Sequence, residues 1–331
     1  MEEKKLYPMK FCTLQDEYPW GSETFLIADL GYRDSLVREG WLAGNSLSEL
    51  MDTYLDRMVG DEAYEHYGRQ FPLCVRHLRV KGRMPLRVHP DAQTAEQRYD
   101  FLGKEKLWYV LRAGTDARLL LGFRRDADAS ELYARCLDGT AEEMLNIVAA
   151  HAGQCLRIPA GTPHAAAGDL EILEIAESSP MDFLLCAWGE PVHPDEFDPA
   201  LSLIEALDFI DYRRFAQDSP AGGLLADLPQ LRVERIQPLP TQEKRQEETA
   251  RFALYVCARG NACLQLPMPG GATADFPLRE GEVLLVPAEC PDYRLMLPTR
   301  DAVLLEAGVR PTETDSYINP DAEPVLEEDE Q

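Results

Sequence analysis

Leu156-Arg157-Ile158-Pro159-Ala160-Gly161-Thr162-Pro163-His164-Ala165 decides how the rest of this chain is read. Leu156 and Ile158 alternate with Arg157, the period-two pattern of a half-buried strand. Pro159, Gly161 and Pro163 then exclude helix and force tight turns, because proline fixes φ and glycine tolerates positive φ. His164 follows this rigid corner, next to alanines that leave room for a ligand. Such a corner aims an imidazole at one point, as metal binding and proton transfer both require. A hairpin corner whose histidine only hydrogen-bonds a carbonyl has the same sequence, so the surrounding chain must decide between the two.

Short apolar runs bounded by turn residues flank the corner on both sides. Upstream they fall at residues 71–75, 78–80, 86–88, 106–111 and 117–123, with an Ala113-Gly114 turn; downstream they fall at 170–175 and 183–188. Near the start, Tyr18-Pro19-Trp20-Gly21 reads as a turn before a strand at 24–28. Helical spacing runs over 47–58, with Ser46 as N-cap and Glu49 at N3, and again over 130–150 and 201–215. The middle helix is expected to be capped by Ser130 and broken at Leu137-Asp138-Gly139.

From Leu231 a second strand-rich unit begins, and its segment Val283-Leu284-Leu285-Val286-Pro287-Ala288 repeats the strand-then-corner pattern. No histidine follows in this copy; all six histidines precede residue 194. The expected fold is mainly β: two jelly-roll (cupin-like) domains with helical insertions. The boundaries read as 1–195 for the domain carrying the site, 196–230 for a helix and linker, 231–310 for the second domain, and 311–331 for an acidic disordered tail.

The 331-residue length leaves room for two domains of ~100–200 residues each. A net charge of −25 argues against nucleic acid and anionic membrane surfaces as partners. A phosphorylated substrate therefore needs a local basic patch, and Arg76, Arg79, Lys81, Arg83, Arg87, Arg98, Lys104 and Lys106 supply one, unless they form an ordinary solvated strand surface. The eight cysteines are scattered with no C-x-x-C pair, the habit of thiols in a reducing compartment. With no long apolar run and no signal-like segment at the charged start, the expected location is the cytoplasm.

Several motifs in order carry a resemblance. Leu42-Ala43-Gly44-Asn45-Ser46 precedes the first helix, Phe71-Pro72-Leu73 enters a strand, and Leu86-Arg87-Val88-His89-Pro90 ends one. Gly103-Lys104-Glu105-Lys106-Leu107-Trp108 follows, then the Pro159 to Ala165 corner, then Glu174-Ile175 and Ser178-Ser179. Over residues 18–310 the chain resembles the type I mannose-6-phosphate isomerases, zinc-dependent two-cupin proteins. The resemblance implies interconversion of mannose 6-phosphate and fructose 6-phosphate by metal-assisted proton transfer.

In that family a glutamine, a histidine, a glutamate and a second histidine hold the zinc, and these positions fall on Arg87, His89, Lys106 and His164. Guanidinium and ammonium groups offer a metal no lone pair. Glu105 reaches such a site only through a bulge, since adjacent strand residues face opposite sides. The arginine that the family uses near the reacting carbons falls on Leu184.

The resemblance thus implies one zinc per chain at His89, His164 and Glu105. Arg87, Lys106 and Glu174 are the candidate catalytic groups, and Arg76, Lys104 and Trp108 the candidate substrate-binding groups. The partner expected is a small molecule, a sugar phosphate; nothing in the sequence sets the oligomeric state. The alternative is a metal-free or non-catalytic cupin that binds a sugar phosphate or another small anion. There Arg87 and Lys106 either stand in for the metal or pair with Glu105, Asp91 or Glu171. His66, His77, His151 and His193 read as surface or core residues.

Overall fold

The computed structural model describes residues 4–189, 199–216, 222–236, 242–244, 251–268, 271–290 and 292–311. The proline-rich connector at 191–198 with His193, the start of the expected linker and the tail from 312 lie outside these residues.

The first half carries strands β1 (Leu14–Tyr18), β2 (Gly21–Ile27), β3 (Leu73–Val80), β4 (Leu86–Val88), β5 (Lys106–Ala113) and β6 (Arg118–Phe123). β7 (Leu145–Ala149), β8 (Cys155–Ile158), β9 (His164–Ala167), β10 (Leu170–Glu177) and β11 (Phe183–Cys186) follow. A six-stranded sheet in the order β1-β2-β3-β10-β5-β8 faces a five-stranded sheet in the order β11-β4-β9-β6-β7.

The second half repeats the plan with β12 (Leu224–Asp227), β13 (Arg232–Ile236), β14 (Gln242–Lys244), β15 (Ala253–Arg259) and β16 (Asn261–Pro267). β17 (Thr273–Arg279), β18 (Val283–Val286), β19 (Tyr293–Met296) and β20 (Val303–Gly308) complete it. Its sheets run β12-β13-β20-β15-β18 and β14-β19-β16-β17. The fold is a mainly β, cupin-like pair of barrels with helical insertions, as the strand spacing led one to expect.

Strand alternation sorts the side chains. On β5, Trp108 and Val110 enter the first barrel while Leu107 and Tyr109 leave it; on β10, Ile172 and Glu174 enter while Leu173 and Ile175 leave. The outer face joins Leu254 and Val256 of β15 and Leu305 of β20 in one apolar cluster. The two barrels therefore share a core as well as enclosing one each. Backbone bonds stitch the seam: Met9 and Leu285 exchange N–H···O bonds of 2.8 and 2.9 Å.

Helices α1 (Leu47–Tyr54), α2 (Asp56–Val59) and α3 (Asp61–Tyr67) fill that seam. Ser46 and Glu49 form the expected capping box: Glu49 N donates to Ser46 Oγ at 3.2 Å and Ser46 N to Glu49 Oε2 at 2.8 Å. Ser46→Ala should cost ~1 kcal/mol of stability, read by urea denaturation. The single helix expected over 47–58 is instead broken at Leu55, whose φ is 50°. Both short helices still turn their apolar residues, Leu47, Leu50 and Met51 and then Met58 and Val59, to the same cluster, so periodicity alone did not reveal the break.

Helix α4 (Ala92–Tyr99), which the sequence reading did not anticipate, is capped by Asp91, whose side chain accepts from Thr94 N. Helix α5 (Ala129–Leu137) is capped by Asp128 rather than Ser130, with Glu131 N donating to Asp128 Oδ1 at 2.9 Å. The expected helical continuation to 150 is instead a short 3₁₀ turn and the edge strand β7 paired with β6. Helix α6 (Pro199–Ala206) is shorter than the 201–215 reading, and β12 lies where a linker was expected. Among the described residues no helix is long and apolar enough to cross a membrane.

Candidate functional site

The interior of the first barrel is polar at one end. β2 contributes Glu23, β3 Arg76, β5 Lys106 and Trp108, and β10 Glu174. β4 brings Arg87 and, just beyond its end, His89; β9 opens with His164 directly opposite Arg87. The loop between β10 and β11 delivers Asp182, and Lys104 precedes β5.

The corner from Pro159 to His164 is tightly held. Gly161 has φ of +75°, its N–H donates to His89 O at 2.8 Å, and an added Cβ would lie 2.7 Å from Phe209 O. Only glycine fits this left-handed turn between the His89 backbone and the segment after α6. His164 Nδ1 is 2.9 Å from Thr162 O; a carbonyl only accepts, so Nδ1 carries the proton and Nε2 the free lone pair. The histidine thus does bond a carbonyl, and that bond points Nε2 into the barrel.

A continuous network of charges surrounds Nε2. Lys106 Nζ lies 3.3 Å from it, 2.7 Å from Asp182 Oδ1 and 3.8 Å from Glu174 Oε2. Lys104 Nζ donates to Asp182 Oδ2 at 3.0 Å. Arg76 Nε donates to Glu174 Oε1 at 2.9 Å and its Nη1 to Glu23 Oε2 at 2.8 Å. Trp108 Nε1 donates to Glu174 Oε2 at 2.8 Å, and Arg87 Nη1 to Glu23 Oε1 at 3.0 Å. Among the described residues, four cations and three carboxylates make up this network. Lys106 is 1% exposed and Glu174 2%, so these are buried ion pairs.

His89 is fully buried, and neither ring nitrogen has a hydrogen-bond partner among the described residues. Its ring meets that of His164 edge-on at 5.2 Å between centroids. A buried, unpartnered imidazole is costly unless something else is meant to meet it. Ligand atoms of His89, His164 and Asp182 all lie within 4.8 Å of one another, a two-histidine, one-carboxylate group. These residues fit a divalent metal, with nitrogen and carboxylate donors of the kind zinc accepts.

The environment fixes protonation. Burial, then Lys106, lowers His164 to about 3 and pushes His89 well below the usual histidine range, so both are neutral. Burial works against an ionised Glu174, but Arg76 and Lys106 outweigh it and hold the carboxyl at about 2. Burial, then Lys106, lowers Lys104 to about 8 although Asp182 opposes the shift.

For His164, protons bind the unfolded chain first as pH falls below 6.5, and the folded chain only near about 3. For Glu174 the corresponding interval runs from 4.5 to about 2. Both groups therefore stabilise fully above their unfolded values and lose that contribution on acidification. The urea midpoint should fall steadily from pH 6.5 downward, and a His164→Ala variant should lose the upper part of that slope.

No family model matches the chain. The mannose-6-phosphate isomerase of Streptococcus mutans is 24% identical over 260 residues, covering 76% of this chain and 78% of that protein. The crystal structure of the mannose 6-phosphate isomerase from Bacillus subtilis superposes with a TM-score of 0.76 at 19% identity, covering 91% of this chain and 99% of that one. Sequence likeness to a mannose-6-phosphate isomerase thus runs over three quarters of the chain, and the fold is that of the solved mannose 6-phosphate isomerase. A zinc-bound mannose 6-phosphate isomerase structure shares the fold at a TM-score of 0.69 and 13% identity, covering 92% of this chain and 99% of that one.

The family positions fall inside one barrel, but the carboxylate at its centre is not the one the motifs indicated. Glu105 accepts from Arg157 Nε at 3.1 Å, and the carboxylate beside both histidines belongs to Asp182. Arg87 pairs with Glu23, and Lys106 with Asp182 and Glu174, none of them the Glu105, Asp91 or Glu171 suggested as partners. Glu171 meets His77, Arg79 and Arg112 instead. Leu184 is buried on β11 across from Arg87. Asp182 and Glu23 went unread because neither sits in a motif and each meets its partners across more than fifty residues of chain. The only local hint of Asp182 was its place just after Ser178-Ser179-Pro180.

Proposed function

We propose that the first barrel isomerises mannose 6-phosphate and fructose 6-phosphate, with one zinc per chain held by His89, His164 and Asp182. The observation that carries this reading is His89, buried with both ring nitrogens unpartnered beside the His164 lone pair and a carboxylate. A metal bound there would supply a Lewis acid for the sugar's carbonyl oxygen.

The reaction moves one proton between C1 and C2 through an enediolate, so the site must hold negative charge developing on oxygen. Lys106 brings a buried ammonium to that point, held in place by Asp182 and Glu174. Glu174 is committed to Arg76, Trp108 and Lys106, which makes it the counter-charge that orients these groups. Arg87, the least buried of the four cations in this network, is suited to the phosphate. Arg76, Lys104 and Trp108 complete the wall that the sugar would meet.

One observation favours a second reading, a metal-free cupin that binds a sugar phosphate or another small anion. Lys106 Nζ itself touches His164 Nε2 and Asp182 Oδ1, so a side-chain cation already sits against two of the three donors.

Elemental analysis after zinc loading and desalting, with a coupled mannose-6-phosphate assay, separates the two. About one zinc per chain with turnover, both lost in His89→Ala/His164→Ala, is the expected result. No retained zinc and no turnover, with hexose phosphate still stabilising the fold, would overturn the first reading in favour of the second.

A further inference from the structure

The strand registers of the two barrels match position for position. Glu174 pairs with Trp108 and Arg76 in the first; Glu306 pairs with Tyr255 and Glu234 in the second. Trp108 pairs with Leu156 and Lys106 with Ile158; Tyr255 pairs with Leu284 and Ala253 with Val286. Arg87 faces His164, and Lys244 faces Tyr293. The positions that build the first site thus reappear as Glu234, Lys244, Ala253, Tyr255, Tyr293 and Glu306. The second barrel has lost the histidines but has not become apolar at this end.

What replaced them is a hydrogen-bonded polar cluster. Tyr255 and Tyr293 share a hydroxyl–hydroxyl bond of 2.8 Å, and both are buried. Lys244 Nζ donates to Glu306 Oε2 at 2.8 Å. Burial, with Tyr293 and Glu306 alongside, pushes the Tyr255 phenol well above its usual range, so it stays a hydroxyl.

The substitution of Lys106 by Ala253 removes the side chain that fills the first barrel. A cavity of about 190 Å³ lies at this end of the second, lined by Glu234, Lys244, Ala253 and Glu306 with Arg232, Arg251 and Arg310 around them. Arg232 pairs with Glu234 and Asp227, and Arg251 Nε with Glu62 at 3.1 Å. Arg310 has no ion-pair partner among the described residues.

We infer that this cavity is a second ligand site, distinct from the first barrel's, for a small anionic polyol. The Lys244–Glu306 and Arg232–Glu234 pairs set donors beside acceptors, an arrangement that neighbouring hydroxyls of a polyol satisfy from both sides. Arg310, with Arg251 nearby, supplies the charge for a phosphate or carboxylate. Three of the four cations around the cavity are paired with carboxylates, which leaves Arg310 to attract an anion.

The test is calorimetric titration of the full chain with glucitol 6-phosphate and with gluconate, neither of which has a carbonyl to isomerise. At least one should give a binding event weakened tenfold or more by Lys244→Gln and by Ala253→Leu, the latter filling the cavity. Mannose 6-phosphate turnover should stay within twofold of the parent in both variants. Lys244 is partly exposed, so its variant reports even if Ala253→Leu fails to fold. Binding that ignores Lys244→Gln, or no binding of either compound, overturns the second site. A Lys244-dependent event in a chain without turnover upholds it while removing the isomerase reading.

Discussion

Glu174→Ala is expected to lower the unfolding free energy by ~3–5 kcal/mol, the penalty for leaving buried charges without their partner. The carboxylate takes hydrogen bonds from Arg76 and Trp108 and lies 3.8 Å from Lys106 Nζ. Arg76 retains Glu23 in the variant, but Arg76, Lys106 and Trp108 each lose a buried partner, where a charge is weakly screened. Glu174→Gln keeps an acceptor for Trp108 and loses only the charge, so it should fall between the alanine variant and the parent. Glu171→Ala is the comparison: beside His77 it faces Arg79 and Arg112, whose side chains are 50% and 70% exposed, and such exposed pairs contribute ~0–1 kcal/mol each. Urea denaturation of the three variants checks the order. An alanine effect at position 174 no larger than that at 171 would show that the network is not coupled.

The same contrast explains what could be read in advance. Fold class was legible because it rests on local signals: alternation in strands such as Leu156 to Ile158, and proline–glycine corners that recur in each half. His89 and His164 were legible for the same reason, since each sits at a strand end beside proline. The acidic side of the site was not. Glu23 lies in a strand whose neighbours give no hint of a buried charge, and Asp182 lies in a loop that acquires meaning only when β10 and β11 are placed. Glu105 was favoured because it is adjacent to Lys106 in sequence, yet alternation sends it towards Arg157. The helix over 47–58 is cut by a positive φ at Leu55, although its apolar spacing continues through Met58. The polar content of the second barrel was hidden because the sequence reading looked for histidine, whereas the repeat preserved register and exchanged the chemistry.

Lys106→Met is expected to move metal affinity and turnover in opposite directions. The ammonium lies 3.3 Å from His164 Nε2 and 2.7 Å from Asp182 Oδ1, so any divalent ion bound by those groups meets a positive charge at close range. Two unit charges 4 Å apart repel by roughly 4 kcal/mol at an effective dielectric of 20, and a divalent ion doubles that before relaxation. Removing the ammonium should therefore tighten zinc binding by ~100-fold or more, measured by competition with a chelator of known affinity. Methionine keeps the volume and apolar stem, so the barrel stays filled. If the barrel isomerises as proposed, turnover should nevertheless fall by ~10²–10³-fold in kcat, because a buried cation at the developing oxyanion would act mainly in the transition state. Tighter metal with faster turnover would mean that Lys106 only obstructs the site. Unchanged metal affinity would mean that the ammonium moves away when zinc enters, and Asp182 would then be free to serve the metal without losing its charge to the lysine.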